Sequence, residues 1–295
     1  RRIDNLKNFE NIQNIYALGS INRHTDWSLP LTDIKVVVHC ASAPYDINMK
    51  LEDYRLINKY GTQRLALQSI DAGVKRIIYI SSIRVFGTSN YIPFKGKSLY
   101  DNLKSDSMHL ETTLPLDDYG KSKLEAEKDL LDIAARTGLE VVIVRPPLVI
   151  GPNVKGNLKR LVKLGRLPIP LPFGNMKNKR SFIGIDNLID MLINCLDNSS
   201  APGNIFLVSD EERLSTSELI SEIRAAFGLP SLLFAIPVNV LRFAFKSLNK
   251  ERELTTLLSS MCVDNSYTYD VLGWKPKVKI RESIKKMCRS YDTCI

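Results

Sequence analysis

Glycine is missing where a phosphate would need it. The 295 residues include 15 glycines, but the first is Gly19 and the next Gly61. No G-x-x-G-x-x-G run occurs, so the sequence offers no glycine loop to bring backbone amides against a pyrophosphate at a helix N-terminus. Cysteine is scarce and shows no pairing pattern. Cys40, Cys195, Cys262, Cys288 and Cys294 form no C-x-x-C and lie among apolar or helical positions. This argues against a disulfide framework and predicts a reducing, cytoplasmic setting. Cys294, next to last, is no prenylation box. His24, His39 and His109 lack ligand spacing, and no metal site is expected.

Long apolar runs are absent too. None reaches the roughly 18 residues of a membrane span. The most apolar late stretch, 232–248, contains Pro237, Arg242 and Lys246, and is expected to be a buried or interface helix rather than a membrane-surface one. Arg1-Arg2 runs into polar sequence, not the apolar core of a secretory leader. Blocks of one charge sign are missing as well. The net charge is +9, yet the 41 basic residues are spread along the chain and mostly interleaved with the 32 acidic ones. Nucleic acid is not expected; a diphosphate-bearing ligand needs no dedicated basic patch.

What is present is a rhythm. At 44% hydrophobic the chain can bury a full core. Residues 35–39, 75–80 and 140–144 are short apolar or β-branched runs, the last ended by Pro146-Pro147. Between them, 54–72 has helical spacing and stops at Gly73, and 121–136 is a helix stopped by Gly138. Strands buried on both faces and separated by helices predict a doubly wound parallel α/β sheet. After about Gly151 the rhythm loosens. Residues 167–172 are proline-rich and cannot form a central strand. A helix is expected over 186–196, a short strand over 204–209, and a helix capped by Ser215 with Glu218 as its capping-box partner. The chain therefore divides into 1–150, a doubly wound domain of the kind that can bind a dinucleotide at its strand ends, and 151–295, a smaller region expected to be mainly substrate-binding, with some segments returning to the sheet.

One cluster carries chemistry. Tyr and Lys four residues apart share a helical face, and an ammonium beside a phenol lowers a pKa that starts near 10. Such a phenol can exchange a proton with a sugar hydroxyl. A serine at a strand's C-terminal end can share that hydrogen bond, at the sheet edge where ligands bind. Three Tyr-x-x-x-Lys pairs occur: Tyr91/Lys95, Tyr100/Lys104 and Tyr119/Lys123. Pro93 spoils the first as a helix, and the second lies in a polar stretch without apolar period. Tyr119/Lys123 opens a strong helix, downstream of Ser81-Ser82.

These residues belong to an ordered series. Val37-Val38-His39-Cys40-Ala41-Ser42 resembles V-V-H-x-A-A, Asn58-Lys59-Tyr60-Gly61-Thr62 resembles N-x-x-G-T, and Ser81-Ser82-Ile83-Arg84-Val85-Phe86-Gly87 resembles S-S-x-x-V-Y-G. Tyr119-Gly120-Lys121-Ser122-Lys123 matches Y-G-x-S-K. Arg145-Pro146-Pro147-Leu148-Val149-Ile150-Gly151-Pro152 resembles R-P-x-x-V-Y-G-P, Arg180-Ser181-Phe182-Ile183 resembles R-D-F-V, and Leu272-Gly273-Trp274-Lys275-Pro276 resembles L-G-W-x-P. The chain thus resembles the extended short-chain dehydrogenases/reductases of the nucleotide-sugar epimerase/dehydratase group, over roughly residues 15 to 290. The resemblance implies a Rossmann-like fold and NAD as cofactor, with NADP the alternative. It implies Tyr119 as acid/base, Lys123 on the nicotinamide ribose and tuning Tyr119, and Ser82 on the reacting oxygen. Ile21, Ala41, Asn58 and Pro146 would line the cofactor, and Asn157 and Arg180 would hold the diphosphate of a UDP-sugar. A homodimer built on the helices around 54–72 and 119–136 is implied as well.

The departures shape the expected activity. Ile83 and Arg84 stand where 4,6-dehydratases of the group carry an Asp-Glu pair, so dehydration is not expected. Phe86 replaces a tyrosine, and Ser20 replaces the usual Asp near the adenine. The chain is expected to begin near the family's second strand, with Asp4 where a ribose-binding acid lies and the central first strand absent. That absence should leave a gap in the sheet or give the strand from Lys35 a new neighbour. The expected function is a 4-epimerase of a UDP-hexose or UDP-N-acetylhexosamine in surface-polysaccharide synthesis. The alternatives are a UDP-4-keto-sugar 4-reductase and a truncated, non-catalytic nucleotide-sugar-binding remnant.

Overall fold

The sheet forms where the apolar runs are. A computed structural model describes residues 14–46, 48–90, 93–98 and 117–292. Asp4, Tyr91, Tyr100, Lys104, His109 and Cys294 lie outside the described residues. Strands β1 (Val36–His39), β2 (Arg76–Ile80), β5 (Glu140–Arg145) and β8 (Asn204–Leu207) pair in parallel in that order, and the two-residue β4 (Lys97–Ser98) adds antiparallel to β8. The short pairs β3 (Phe94–Lys95) with β9 (Val263–Asp264), and β6 (Leu148–Ile150) with β7 (Phe182–Gly184), stand apart from this sheet.

Helices cover both faces. On one side α1 (Leu51–Tyr54), a π-helical stretch (Arg55–Gly61) and α2 (Thr62–Asp71) run on without a break, beside α3 (Asp118–Thr137). Ala66, Ala126 and Leu130 meet Ile77, Tyr79 and Ile143 of the sheet there. On the other side Leu188, Met191 and Cys195 of α5 (Ile185–Asp197) pack with Trp274 on Ile78, Val142 and Phe206. Facing apolar layers on both sides explain why β2 and β5 read as unbroken apolar runs. The signals for α3 act as expected: Asp117 caps its start by accepting the Gly120 N–H at 2.7 Å, and Gly138 ends it in the left-handed region at φ 75°. The Ser215–Glu218 capping box opens α6 (Thr216–Ala226).

Two expectations give way. The strand from Lys35 is not buried on all sides. Among the described residues β1 pairs only with β2, and Val38 is 39% exposed. Of the buried or interface helix expected over 232–248, the buried form is not found. The stretch forms α7 (Val238–Ser247), in which Leu241 alone is buried while Val240 and Phe243 are exposed. The helix is anchored by one narrow stripe, Leu241 and Phe245, against Leu171, Phe173 and Leu254. Leu254 belongs to α8 (Glu251–Leu258). The remaining elements are α4 (Gly156–Gly165), α9 (Ser266–Leu272) and α10 (Ile280–Asp292). Among the described residues no helix is long and apolar enough to cross a membrane.

Candidate active site

Parallel strands deliver their next residues to one edge. After β1 come Cys40, Ala41 and Ser42; after β2, Ser81 and Ser82; after β5, Pro146. The edges are stitched together: Ser81 N–H donates to the Val144 carbonyl at 2.7 Å, and Ile83 N–H to the Pro146 carbonyl at 3.1 Å. Ser82 then turns the chain, its hydroxyl accepting the Arg84 N–H at 3.2 Å to cap a single 3₁₀ turn, Ile83–Phe86.

The start of α3 lies over this edge. Lys123 is fully buried; its ammonium donates to the Ile80 carbonyl at 2.7 Å and to the Tyr79 hydroxyl at 3.2 Å. Burial pulls its pKa down to about 7, against the charges of Glu127 and Cys40. His39 packs in the same layer, its Nε2 2.9 Å from the Thr62 hydroxyl and its ring stacked at 5.6 Å on Tyr79. Burial and the Lys123 charge lower the His39 pKa to about 3, so it stays neutral. Asn58, in the π-helical stretch, is a brace. Its Oδ1 accepts from Ala43 N–H at 2.9 Å and the Ser42 hydroxyl at 3.0 Å, and its Nδ2 donates to Ser122 Oγ at 2.9 Å. It thereby ties the turn after β1 to the helix carrying Tyr119.

The Tyr119 ring stands edge-on to Tyr54 at 5.6 Å and to Tyr45 at 6.0 Å. Its phenol pKa is raised, first by burial; Ser42 and the charge of Arg84 pull the other way. This corrects the reading of the pair from spacing alone. Lys123 does share the helix face with Tyr119, but its ammonium is turned to Ile80 and Tyr79. The cation that favours the phenolate is Arg84. Asp117 holds Arg84 through Nε at 2.9 Å and through Nη2, and the guanidinium lies 4.4 Å over the Tyr45 ring. Arg84→Ala therefore raises the phenol pKa further and moves any rate limb that needs phenolate to higher pH. Arg84→Lys keeps the charge and moves it less. A pH–rate profile unchanged in Arg84→Ala would sink this assignment.

Arg180 comes within range of the same place. Burial and the Arg84 charge lower its pKa, and its Nη1 donates to the Thr256 carbonyl at 2.6 Å. Among the described residues it has no carboxylate partner. Next to it a cavity of about 600 Å³ opens between Ser89-Asn90 and α8. Two sequence-derived candidates lie apart. Asn157 is exposed at the start of α4, accepting from Arg160 at 3.4 Å. Ile21 packs on Gly61, where an added Cβ would meet its Cγ2 at 2.7 Å. Tyr45, Tyr54, Thr62 and Tyr79 were not singled out from the sequence. Asp117 had a signal, an acidic residue just before a helix start.

Strand ends, a buried lysine and a tyrosine on one helix define a nucleotide-cofactor oxidoreductase-type enzyme. The particular family follows from comparison. Residues 3–209 match the NAD dependent epimerase/dehydratase family. The UDP-glucose 4-epimerase of Vibrio cholerae is 39% identical over 284 residues, covering 94% of this chain and 83% of that one. The N-acetyl-alpha-D-glucosaminyl-diphospho-ditrans,octacis-undecaprenol 4-epimerase of Escherichia coli O157:H7 is 25% identical, covering 83% and 73%. The fold is that of the Bacillus cereus UDP-glucuronic acid 4-epimerase solved with NAD, at TM-score 0.70 and 21% identity, over 92% of this chain and 78% of that one. The chain belongs to the NAD dependent epimerase/dehydratase family, and NAD is its cofactor. The strand ends fit the nicotinamide riboside half of NAD, since Ser81 Oγ is buried there without a hydrogen-bond partner among the described residues and Lys123 brings a buried cation. For the pyrophosphate half these residues hold no glycine cradle.

Proposed function

We propose that this chain is a 4-epimerase of a UDP-hexose or UDP-N-acetylhexosamine. The observation that carries the reading is Tyr119 on the helix over the strand ends, with the Ser42 hydroxyl and the Arg84 charge acting on its phenol and no carboxylate at 83 or 84 to expel water. NAD supplies a hydride acceptor that can return the hydride to either face of the sugar. Tyr119 takes the proton of the C4 hydroxyl and gives it back after the 4-keto sugar has turned over. Ser82 holds the reacting oxygen, and Lys123, Ala41 and Pro146 bound the ribose end of the cofactor pocket, with Ile21 and Asn58 behind it. Arg180 grips the diphosphate. The helices 51–71 and 118–137 form a homodimer, a reading supported by the exposed Leu56 and Leu67 on the first of them.

The test is incubation with catalytic NAD and UDP-GlcNAc or UDP-glucose, followed by NMR of the sugar. Inversion at C4 without net cofactor turnover supports the epimerase. The raised Tyr119 pKa favours a second reading, a 4-ketoreductase, because a phenol that keeps its proton is suited to donate it. Stoichiometric consumption of reduced cofactor on a 4-keto sugar would decide for that. No NAD binding at submillimolar concentration would sink both. Arg180→Ala is expected to raise KM for the UDP-sugar about 10- to 100-fold, the worth of a charge-assisted contact, with kcat little changed. A loss confined to kcat would contradict the diphosphate role.

A further inference from the structure

The outward face of α7 has no partner among the described residues. Val240, Phe243 and Ala244 share a face turned away from the buried Leu241, and Leu248 stands exposed just past the helix end. Phe243 is 75% exposed and Leu248 65%. Large apolar side chains this open mark a surface that something else covers. The charge beside them says what. From 231 to 250 the sequence has Arg242, Lys246 and Lys250 and no acidic residue. All three cations are exposed, and none forms an ion pair among the described residues. Arg242 and Lys246, one turn apart, flank the apolar stripe.

An apolar stripe bordered by unpaired cations matches the interface of an anionic bilayer, where the rings and aliphatic groups enter the acyl boundary and the ammonium groups reach the headgroups. A second copy of this chain fits worse. A two-fold contact on this face places the same patch against itself, so Arg242 and Lys246 would meet cations rather than carboxylates. We infer that α7 docks this enzyme on an anionic membrane surface. The net charge of +9 assists the approach. Arg242 also lines the 600 Å³ cavity beside α8, so docking through α7 brings one wall of that cavity to the lipid surface.

The experiment is co-sedimentation of the full chain with vesicles of phosphatidylcholine alone and of phosphatidylcholine with phosphatidylglycerol in equal parts. It needs no substrate, so it is independent of the proposed reaction. The expected result is binding to the anionic vesicles at low ionic strength, at least about tenfold weaker on neutral vesicles or where the Debye length falls to about 3 Å. Phe243→Ser with Leu248→Ser should weaken it at least about tenfold. Arg242→Gln, Lys246→Gln and Lys250→Gln together should weaken it by a similar factor or more. Phe243→Trp, a milder change, should show a blue-shifted emission on the anionic vesicles. Absence of binding to them at low salt overturns the inference. So does binding that the Phe243/Leu248 variant leaves intact, or a concentration-dependent dimer lost in that variant while vesicles bind nothing.

Discussion

Tyr119→Phe is expected to lower turnover by about 10²–10⁴-fold while leaving NAD and UDP-sugar binding nearly intact. The phenylalanine keeps the ring, so the edge contacts at 5.6 Å to Tyr54 and 6.0 Å to Tyr45 remain. The backbone stays too, because the helix start is fixed by Asp117 on Gly120 and by Ser122 on the Tyr119 carbonyl at 2.8 Å. What disappears is the Tyr119 hydroxyl proposed to pass the proton, together with its interactions with Ser42 and Arg84. Because the phenol pKa is raised, oxidation of the sugar by the wild-type enzyme should quicken as pH rises toward it, and Tyr119→Phe should lose that limb. Steady-state kinetics with a separate binding titration checks both parts. A variant keeping more than about a tenth of the wild-type rate would remove Tyr119 as the acid/base.

The second large effect is on stability. Arg145 donates to Glu127 through Nε at 3.0 Å and through Nη2; each side chain is only 2% exposed, and the guanidinium lies 4.6 Å over the Phe86 ring. Glu127→Ala strips a buried cation of its counter-charge. Such a loss costs about 3–5 kcal/mol, the usual cost of removing one partner of a buried ion pair. The unfolding midpoint in denaturant should fall accordingly. Glu127 also stands one turn beyond Lys123 and its charge raises the Lys123 pKa. Removing it should therefore push that pKa below about 7. Glu127→Leu with Arg145→Met, an apolar pair of similar bulk, should recover most of the stability, since burying two ions brings little net gain. A single-variant loss under about 1 kcal/mol would show that Arg145 finds solvent.

The legible parts of the molecule were those encoded by neighbours in sequence. The strands at Val36, Arg76 and Glu140, the cap of α6 at Ser215 and the stop of α3 at Gly138 all depend on residues within about a turn or a strand of one another. The proposed triplet Ser82, Tyr119 and Lys123 could be picked out for the same reason, since the order of motifs singles out one Tyr-x-x-x-Lys pair. The π-helical stretch around Asn58 left no such mark, nor did the brace it makes from Ser42 to Ser122, which spans 16 and 64 residues.

By itself, then, the sequence determined the alternation of elements, the family and the candidate residues for the proposed chemistry, because short-range period, capping and residue type are local properties. That these 295 residues contain no G-x-x-G-x-x-G run was equally plain. Only the tertiary structure decided that Lys123 turns to Ile80 and Tyr79, that Arg84 rather than Lys123 is the cation favouring the Tyr119 phenolate, that Asn58 is a brace, and that α7 shows its apolar side outward. Each of these depends on which elements the sheet register sets side by side. Side-chain direction across such distances follows from the packing of several layers at once, which no window of the sequence contains.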